Sequence, residues 1–218
     1  MIVVKSLKKS YGDREVLRGI DFSLSRGEQC IIRGASGSGK STFLYLLGGL
    51  ESLDEGSIAV DGFELGHSED DSLAKYRNTH IGFVFQFHFL LSSMKVIDNI
   101  YLPARIGGEV SREVKERVEE ISHRIGIDHC LKKYPYQLSG GEQQRVNIVR
   151  ACSLAPKLLL CDEPTGNLDL ENTQNVVQLL KNLSSSLGLS LVVVTHDGEV
   201  ARQFERVFTM NDGLIAES

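Results

Sequence analysis

Two segments of this sequence combine glycines with residues that could bind a phosphate group. The first runs from Gly34 to Ser41 and fits the pattern G-x-x-x-x-G-K-[ST]. The second runs from Leu138 to Gln143 and reads Leu-Ser-Gly-Gly-Glu-Gln. Either segment alone indicates a phosphate site, and the two together, in this order, indicate a protein that closes around ATP.

The first segment has the context of a nucleotide-binding loop, because a predicted strand precedes it and a predicted helix follows it. Its glycines let backbone N–H groups face phosphate oxygens, and the helix N-terminus adds a positive dipole. We expect Lys40 to neutralise the β- and γ-phosphates, and Ser41 to hold Mg²⁺. A flexible Gly/Ser linker, the alternative, would need neither the lysine nor this context. The predicted ATP-binding residues here are Gly34, Ala35, Ser36, Gly37, Ser38, Gly39, Lys40, Ser41 and Thr42.

Asp162 and Glu163 follow the apolar run Leu158–Cys161 directly. A carboxylate at the end of a buried strand is costly unless it is paired or bound to a metal. We therefore expect Asp162 to hold Mg²⁺ through a water molecule, since Mg²⁺ dehydrates reluctantly. Glu163 is the predicted general base that activates the attacking water. The alternative, a helix N-cap with acidic residues before Pro164, leaves the apolar run unexplained.

Gln86 and His196 are weak candidates singly and stronger together with the loop and the two carboxylates, and Tyr11 is a further candidate. Gln86 follows the apolar run Ile81–Phe85 and could interact with the metal ion and its water shell. His196 follows the run Leu191–Thr195 and could contact the γ-phosphate in a catalytic role. Tyr11 could stack on adenine, or it could be an ordinary aromatic that packs in a strand.

The second segment also has the sequence of a helix N-terminal capping box, with Ser139 as N-cap and Glu142 three residues later. Two glycines in the first turn of a helix cost about 1 kcal/mol each relative to alanine. Capping does not require them, whereas the close approach of a phosphate to the backbone would. We therefore predict that Ser139, Gly140, Gly141 and Glu142 bind ATP. The pattern leaves open whether both helix starts act in one molecule or across two.

Four continuous apolar runs predict strands that are buried on both faces of a parallel sheet. They are Gln29–Arg33, Ile81–Phe85, Leu158–Cys161 and Leu191–Thr195. Ligands bind beyond the carboxyl ends of the strands in such sheets, so these ends should converge on one site. The first 24 residues, and Ser57–Leu65 with a turn at Asp61-Gly62, predict antiparallel strands.

Three segments have apolar residues at helical spacing: Thr42–Leu50, Ser111–Ile125 and Asn172–Leu187. Ser111 is the expected N-cap of the second and Gly188 the expected C-cap of the third. Leu50 is expected on the buried face of the first. The helix-rich stretch near residues 87–144 interrupts the sheet pattern, so we expect one domain over residues 1–218. Its core and β subdomain would span about 1–86 and 145–218, with an inserted helical lobe between them.

Composition narrows the function further. The chain has 29 acidic residues against 24 basic ones, a net charge of −5, which argues against a nucleic-acid partner. Its four cysteines form no C-x-x-C pair, and we expect them to be reduced core residues of a cytosolic protein. Its six histidines show no metal-ligand spacing. No apolar run reaches the roughly 18–20 residues that span a bilayer, and the N-terminus lacks a secretory signal. We expect a protein that is soluble by itself and acts on a membrane only through a partner.

These motifs together resemble the ATP-binding subunit of an ABC transporter. The residues that carry the resemblance are Gly34–Thr42, Gln86, Leu138–Gln143, Leu158–Glu163, Leu168-Asp169 and His196. It covers essentially the whole chain and implies an α/β fold with a RecA-like P-loop NTPase core, an antiparallel β subdomain and an inserted helical lobe. It also implies a head-to-tail dimer, with ATP between Lys40 of one subunit and Ser139 of the other, and with Asp169 at the dimer seam.

The resemblance further implies membrane permease subunits, docked near Gln86–Leu91 and the helical lobe at the cytoplasmic face of the inner membrane. Hydrolysis would reopen the dimer and move them. Phe87, Phe89 and Leu91 could form an apolar docking groove there, or could be ordinary core residues of the lobe.

A narrower resemblance points to the branch that contains the lipoprotein-releasing ATPases and the macrolide exporters. The residues similar to that branch are Gly48-Gly49-Leu50, Phe83–Gln86, Asn99–Pro103 and Glu163–Asp169. Gln86–Leu91 favours the lipoprotein-releasing ATPases within it. The alternatives are the ATPase of a macrolide or peptide exporter or of the cell-division complex. A remote alternative is a soluble ABC ATPase that acts on DNA or ribosomes, which the length and the acidic charge disfavour.

Overall fold

The computed structural model describes residues 1–66, 68–166 and 168–218; Asn167, within the Glu163–Asp169 motif, lies outside them. The described residues form ten strands: β1 (Ile2–Tyr11), β2 (Arg14–Leu24), β3 (Gln29–Arg33), β4 (Glu55–Val60), β5 (Phe63–Glu64), β6 (Ile81–Val84), β7 (Leu158–Asp162), β8 (Ser190–Thr195), β9 (Arg206–Asn211) and β10 (Leu214–Glu217). Their α-helices are α1 (Lys40–Leu47), α2 (Asp70–His80), α3 (Val96–Ile100), α4 (Leu102–Ile106), α5 (Arg112–Arg124), α6 (Gly140–Cys152), α7 (Leu170–Leu187) and α8 (Gly198–Ala201).

The larger sheet has six strands in the order β10-β9-β3-β8-β7-β6. The four strands predicted from apolar runs are neighbours in it, and each adjacent pair is parallel. Strands β7 and β8 are buried along their whole length, and their alternate residues enter two cores on opposite faces of the sheet. Leu159 and Leu191 belong to one core, and Leu160 and Val192 belong to the other. Burial on both faces therefore explains why these runs are continuously apolar, as predicted.

The smaller sheet is antiparallel, with strand order β2-β1-β4-β5. It includes both regions in which antiparallel strands were predicted. Asp61 and Gly62 join β4 to β5 with φ values of 51° and 85°, which is the backbone that a tight hairpin turn requires. This sheet closes the second of the two cores together with α1 and α2.

The three helices predicted from apolar spacing are present as α1, α5 and α7, with α1 and α7 beginning two residues earlier than predicted, whereas α2 and α8 were not predicted. Ser111 Oγ accepts the Val114 N–H at 3.3 Å at the start of α5, and Gly188 ends α7 with φ 65°, both as predicted. Helix α1 ends at Leu47, so the prediction that Leu50 lies on its buried face is wrong and Leu50 is exposed. Helix α2 was not predicted, because its sequence is mostly polar and it buries only Tyr76.

The stretch between β6 and α6 is helix-rich, as expected. It holds α3, α4, α5 and two 3₁₀ helices, Asp128–Cys130 and Pro135–Gln137. Its buried residues belong to the same core as one face of the parallel sheet. The expected lobe boundary at residue 144 falls inside α6.

All four cysteines are buried and free, as expected. None of the described helices is both long and apolar enough to cross a membrane.

Candidate nucleotide-binding site

The carboxyl ends of the four parallel strands border one cleft with a volume of about 950 Å³. Strand β3 leads into the glycine-rich loop, β6 into Gln86, β7 into Asp162 and Glu163, and β8 into His196. The β1–β2 hairpin contributes Tyr11 to the lining of the cleft. The structure therefore brings the sequence-predicted residues of these four strand ends together at one edge of the sheet.

Lys40 is held by the loop that precedes it. Its Nζ donates to the carbonyl oxygens of Gly34 at 2.8 Å and Ala35 at 2.9 Å. Burial lowers the pKa of Lys40, an effect that Glu163 and Asp162 oppose. Gly39 begins α1 with φ 106°, and no side chain caps the helix start. A partly desolvated cation beside uncapped N–H groups is an arrangement that favours an anion.

Asp162 accepts two hydroxyl hydrogen bonds from α1. Ser41 Oγ donates to Asp162 Oδ1 at 2.9 Å, and Tyr45 Oη donates to Asp162 Oδ2 at 2.7 Å. Burial, followed by Asp162 itself, raises the pKa of Tyr45, so its hydroxyl stays a donor at neutral pH. A hydroxyl and a carboxylate beside the phosphate loop are the hard oxygen ligands that Mg²⁺ prefers. Tyr45 was not predicted, although its position one helical turn after Ser41 could have indicated it.

Glu163 has different hydrogen-bond partners from Asp162, the residue before it. Thr195 Oγ1 donates to Glu163 Oε2 at 2.9 Å, and His196 Nδ1 lies 2.8 Å from Glu163 Oε1. Glu163 has φ 44°, a conformation that non-glycine residues adopt rarely and that costs about 1–3 kcal/mol. Thr195 was missed at the sequence level, because a threonine at the end of an apolar run looks like an ordinary strand residue.

Gln86 and Tyr11 also line the cleft. The Gln86 amide is packed close to the backbone at Gly166, where an added Cβ would lie 2.8 Å from Gln86 Nε2. Tyr11 is 46% exposed, and Lys9 Nζ lies 5.3 Å from the centre of its ring. That exposure does not fit the alternative of Tyr11 as a packed strand aromatic.

The predicted second phosphate site does not line this cleft. The capping box itself is present, as predicted: Ser139 N–H donates to Glu142 Oε2 at 2.7 Å, and Glu142 N–H donates to Ser139 Oγ at 3.3 Å. The Ser139 N–H, followed by His129, lowers the pKa of Glu142 to about 2. Ser139 and Gly140 are exposed, and among the described residues outside this helix turn no heavy atom lies closer than 4.0 Å to the place of a Gly140 Cβ.

Asp169 caps α7 beside this second helix start. Its Oδ1 accepts the Asn172 N–H at 2.8 Å, and its Oδ2 accepts from Asn172 Nδ2 at 2.9 Å. A Cβ at Gly141 would lie 3.2 Å from Asn172 Oδ1, so Gly141 has a packing role that the sequence argument missed. The starts of α6 and α7 are therefore neighbours on a surface away from the cleft.

Comparison with known proteins identifies the class. The ABC transporter family model matches residues 17–166, and the chain belongs to that family. Its fold is that of a dimeric bacterial ABC transporter cassette, with a TM-score of 0.90, 37% identity and coverage of 100% of this chain and 98% of that one. A post-hydrolysis dimer of an ATP-binding cassette, bound to ADP and phosphate, gives a TM-score of 0.89 at 36% identity, with the same coverage. The predicted fold class and the predicted ABC-type ATPase are confirmed.

Among curated proteins, the chain is similar to the lipoprotein-releasing system ATP-binding protein LolD. It is 44% identical to LolD of Idiomarina loihiensis, over 97% of this chain and 94% of that protein. It is 42% identical to LolD of Aquifex aeolicus, over the same shares of each chain. The predicted likeness to a LolD-type ATP-binding subunit is thus confirmed.

Proposed function

We propose that this chain is the ATP-hydrolysing subunit of an ABC complex that releases lipoproteins from the inner membrane, and that it works at the cytoplasmic face. Its similarity along nearly its whole length to proteins named for that system supports the proposal. The cleft at the strand ends supports the ATPase chemistry.

One observation carries the mechanism. Lys40, Asp162 and Glu163 line the cleft, whereas the Ser139 helix start and Asp169 are exposed and lie outside it. One copy therefore presents two incomplete halves of a phosphate site. In a head-to-tail dimer each half meets its complement, so ATP lies between Lys40 of one copy and Ser139 of the other. A relative of 37% identity that forms a dimer supports a dimer of this chain.

Each residue of the cleft has a distinct task in hydrolysis. Lys40 and the start of α1 bind the β- and γ-phosphates, and Ser41, Asp162 and Gln86 would hold Mg²⁺, which neutralises charge on phosphate oxygens. Glu163 takes a proton from the attacking water. As this happens, the water oxygen forms a bond to the γ-phosphorus, and the bond between the γ-phosphorus and the β–γ bridging oxygen breaks. Thr195 and His196 fix the orientation of the Glu163 carboxylate. His196 is also close enough to the cleft to contact the γ-phosphate.

The surface beside the cleft suits a membrane subunit. Phe87 and Phe89 are 63% and 64% exposed, and Leu91 is also exposed, so they are not core residues of the lobe. An adjoining groove of about 520 Å³ lies between α2, α4 and α6, with Ile106 at its edge. Exposed apolar side chains along a groove favour an amphipathic helix, here one from the permease.

Complementation between two inactive variants tests the shared site. A dimer of Lys40→Ala with Ser139→Ala contains one doubly damaged site and one intact site. Random pairing makes half of the dimers mixed, so independent sites give roughly a quarter of the wild-type ATPase activity. Two copies joined in one polypeptide enforce the mixed pair. The shared-site model is refuted if neither the mixture nor the joined polypeptide shows ATPase activity or ATP-induced closure above that of the parent variants.

Reconstitution tests the cargo. We expect the chain to co-purify with membrane subunits, and the complex to release a lipoprotein from proteoliposomes when ATP is added. Ile106→Asp should abolish co-purification without changing ATP binding, whereas Leu214→Asp, another exposed apolar position on β10, should change neither. Export of a peptide or macrolide without lipoprotein release would favour the exporter alternative. Recovery with ribosomes or DNA, and never with a membrane protein, would refute the transport role.

A further inference from the structure

Three side chains with different metal-binding groups meet beside the Ser139 capping box. His129 and Cys130 lie in the 3₁₀ helix Asp128–Cys130, and Glu142 lies in the first turn of α6. His129 Nε2 is 2.9 Å from Glu142 Oε1, and Cys130 Sγ is 3.3 Å from both atoms. One ligand atom of each residue lies within 4.8 Å of the others, so these atoms form a compact triangle.

We propose that His129, Cys130 and Glu142 bind a zinc ion, a site separate from the nucleotide cleft. Zinc bonds of about 2.0–2.3 Å in tetrahedral geometry place neighbouring ligand atoms roughly 3.3–3.6 Å apart. The three distances in this triangle are within about half an ångström of those values. A zinc ion can therefore replace the three mutual hydrogen bonds with small side-chain movements.

The donor set selects the metal. A thiolate and an imidazole favour zinc over Mg²⁺ and Ca²⁺, which take oxygen ligands. When Cys130 gives up its proton on binding, the thiolate and the carboxylate together balance the charge of a divalent cation. Three protein ligands leave a fourth position for water. His129 is 59% exposed and forms the side of the triangle through which an ion can enter.

The carboxylate of Glu142 can serve this ion and the helix cap at the same time. Its Oε2 accepts the Ser139 N–H at 2.7 Å and the Ser139 hydroxyl at 2.9 Å, while Oε1 faces His129 and Cys130. Hydrogen bonds of this kind orient a metal-binding carboxylate. Bound zinc therefore ties the 3₁₀ helix to the first turn of α6 and makes the Ser139 helix start more rigid. The site needs neither ATP nor a second copy.

Zinc titration of the tag-free chain tests the proposal. We expect one zinc ion per chain, with a sulfur ligand in X-ray absorption and a thiolate charge-transfer band when Co²⁺ replaces zinc. Cys130→Ser should remove the band. His129→Ala should weaken zinc binding by more than about tenfold, because the loss of a group that merely orients a metal ligand already weakens binding by about that factor. His123→Ala is the matched control, because His123 is an exposed histidine on α5 whose Nδ1 lies 3.3 Å from Asp128 Oδ2 in the 3₁₀ helix Asp128–Cys130, but which contributes no atom to the triangle. This variant should bind zinc as the wild type does.

Amide hydrogen exchange at residues 139–142 supplies a second readout. Zinc should slow exchange there in the wild type and in His123→Ala, and leave it unchanged in His129→Ala. His129 is exposed, so this variant tests the site without disturbing the core. The proposal is overturned if the wild type binds no zinc, if zinc binds without sulfur, or if His129→Ala and Cys130→Ser bind it as tightly as the wild type.

Discussion

Removal of the Tyr45 hydroxyl isolates the support that α1 gives to Asp162. In Tyr45→Phe, Asp162 loses one of its two hydroxyl donors while it remains buried. A hydrogen bond to a charged group contributes about 1.5–3 kcal/mol. We therefore expect the free energy of unfolding, measured in urea without nucleotide at neutral pH, to fall by about that amount.

Tyr76→Phe is the matched control. Tyr76 is buried and Tyr45 is partly buried, and the Tyr76 hydroxyl donates at 2.8 Å to the Leu47 carbonyl oxygen, which carries no net charge. A bond between neutral groups contributes about 0.5–1.5 kcal/mol. The difference between the two variants therefore separates the loss of a bond to the Asp162 carboxylate from the loss of any tyrosine hydroxyl.

The functional readout is the effect of Mg²⁺ on ATP affinity. With one donor gone, the Asp162 carboxylate can rotate about its remaining bond to Ser41. Loss of a group that orients a metal ligand weakens metal-dependent binding by about 10–100-fold. We expect such a loss in Tyr45→Phe with Mg²⁺, no loss in Mg²⁺-free ATP binding, and neither effect in Tyr76→Phe. If ATP affinity with Mg²⁺ is unchanged in Tyr45→Phe, Tyr45 does not position Asp162 for the metal.

Three further predictions follow from single residues. Glu163→Gln should still bind ATP but hydrolyse it at least about 100-fold more slowly, as phosphate release will show; near-normal turnover would contradict the general-base role. The pKa of Glu142 is about 2 instead of the usual 4.5, so its contribution of up to about 3 kcal/mol is complete above pH 4.5 and is lost as the pH falls from 4.5 to 2. In Glu142→Gln, which keeps an amide that can cap the helix, the free energy of unfolding should lack this pH-dependent contribution. If its stability falls between pH 4.5 and pH 2 as steeply as that of the wild type, the contribution of Glu142 is refuted. In Gly82→Ala the new Cβ would lie 2.4 Å from the Ala151 carbonyl oxygen, so the free energy of unfolding, measured in urea, should fall by about 1–3 kcal/mol. In Gly198→Ala the new Cβ meets no described atom within 4 Å outside its own helix, so the free energy of unfolding should be nearly unchanged.

The sequence predicts the parallel sheet well because burial on two faces leaves a strong local signal. Runs such as Leu158–Cys161 can fold only as fully buried elements, and a parallel sheet brings their carboxyl ends to one edge. Helix α2 leaves no such signal, since Tyr76 is its one buried residue among the described ones. The end of α1 was also missed, because apolar spacing continues to Leu50 after the helix stops at Gly48 and Gly49.

Partners that come together only in space are the part of the site that spacing could not predict. Thr195 and Glu163 are 32 positions apart, and Tyr45 and Asp162 are 117 apart, yet each pair shares a hydrogen bond. The triangle of His129, Cys130 and Glu142 was missed for the same reason. Two of its members are adjacent in sequence, and the third, Glu142, comes from α6, which follows a second 3₁₀ helix.

The two adjacent carboxylates, Asp162 and Glu163, show how the fold can give consecutive residues the two different roles proposed for them. Asp162 still belongs to β7 and faces α1, where hydroxyl groups hold both of its oxygens. Glu163 leaves the strand with φ 44° while its N–H donates to the Val194 carbonyl oxygen at 3.0 Å, so its side chain turns to the end of β8. There one oxygen accepts from Thr195 and the other contacts His196. A carboxylate fixed by hydroxyl donors suits a metal, whereas one beside a histidine at the edge of the cleft suits proton transfer. The positive φ at Glu163 accompanies a change of direction, so that the second carboxylate contacts the end of β8 while the first contacts α1.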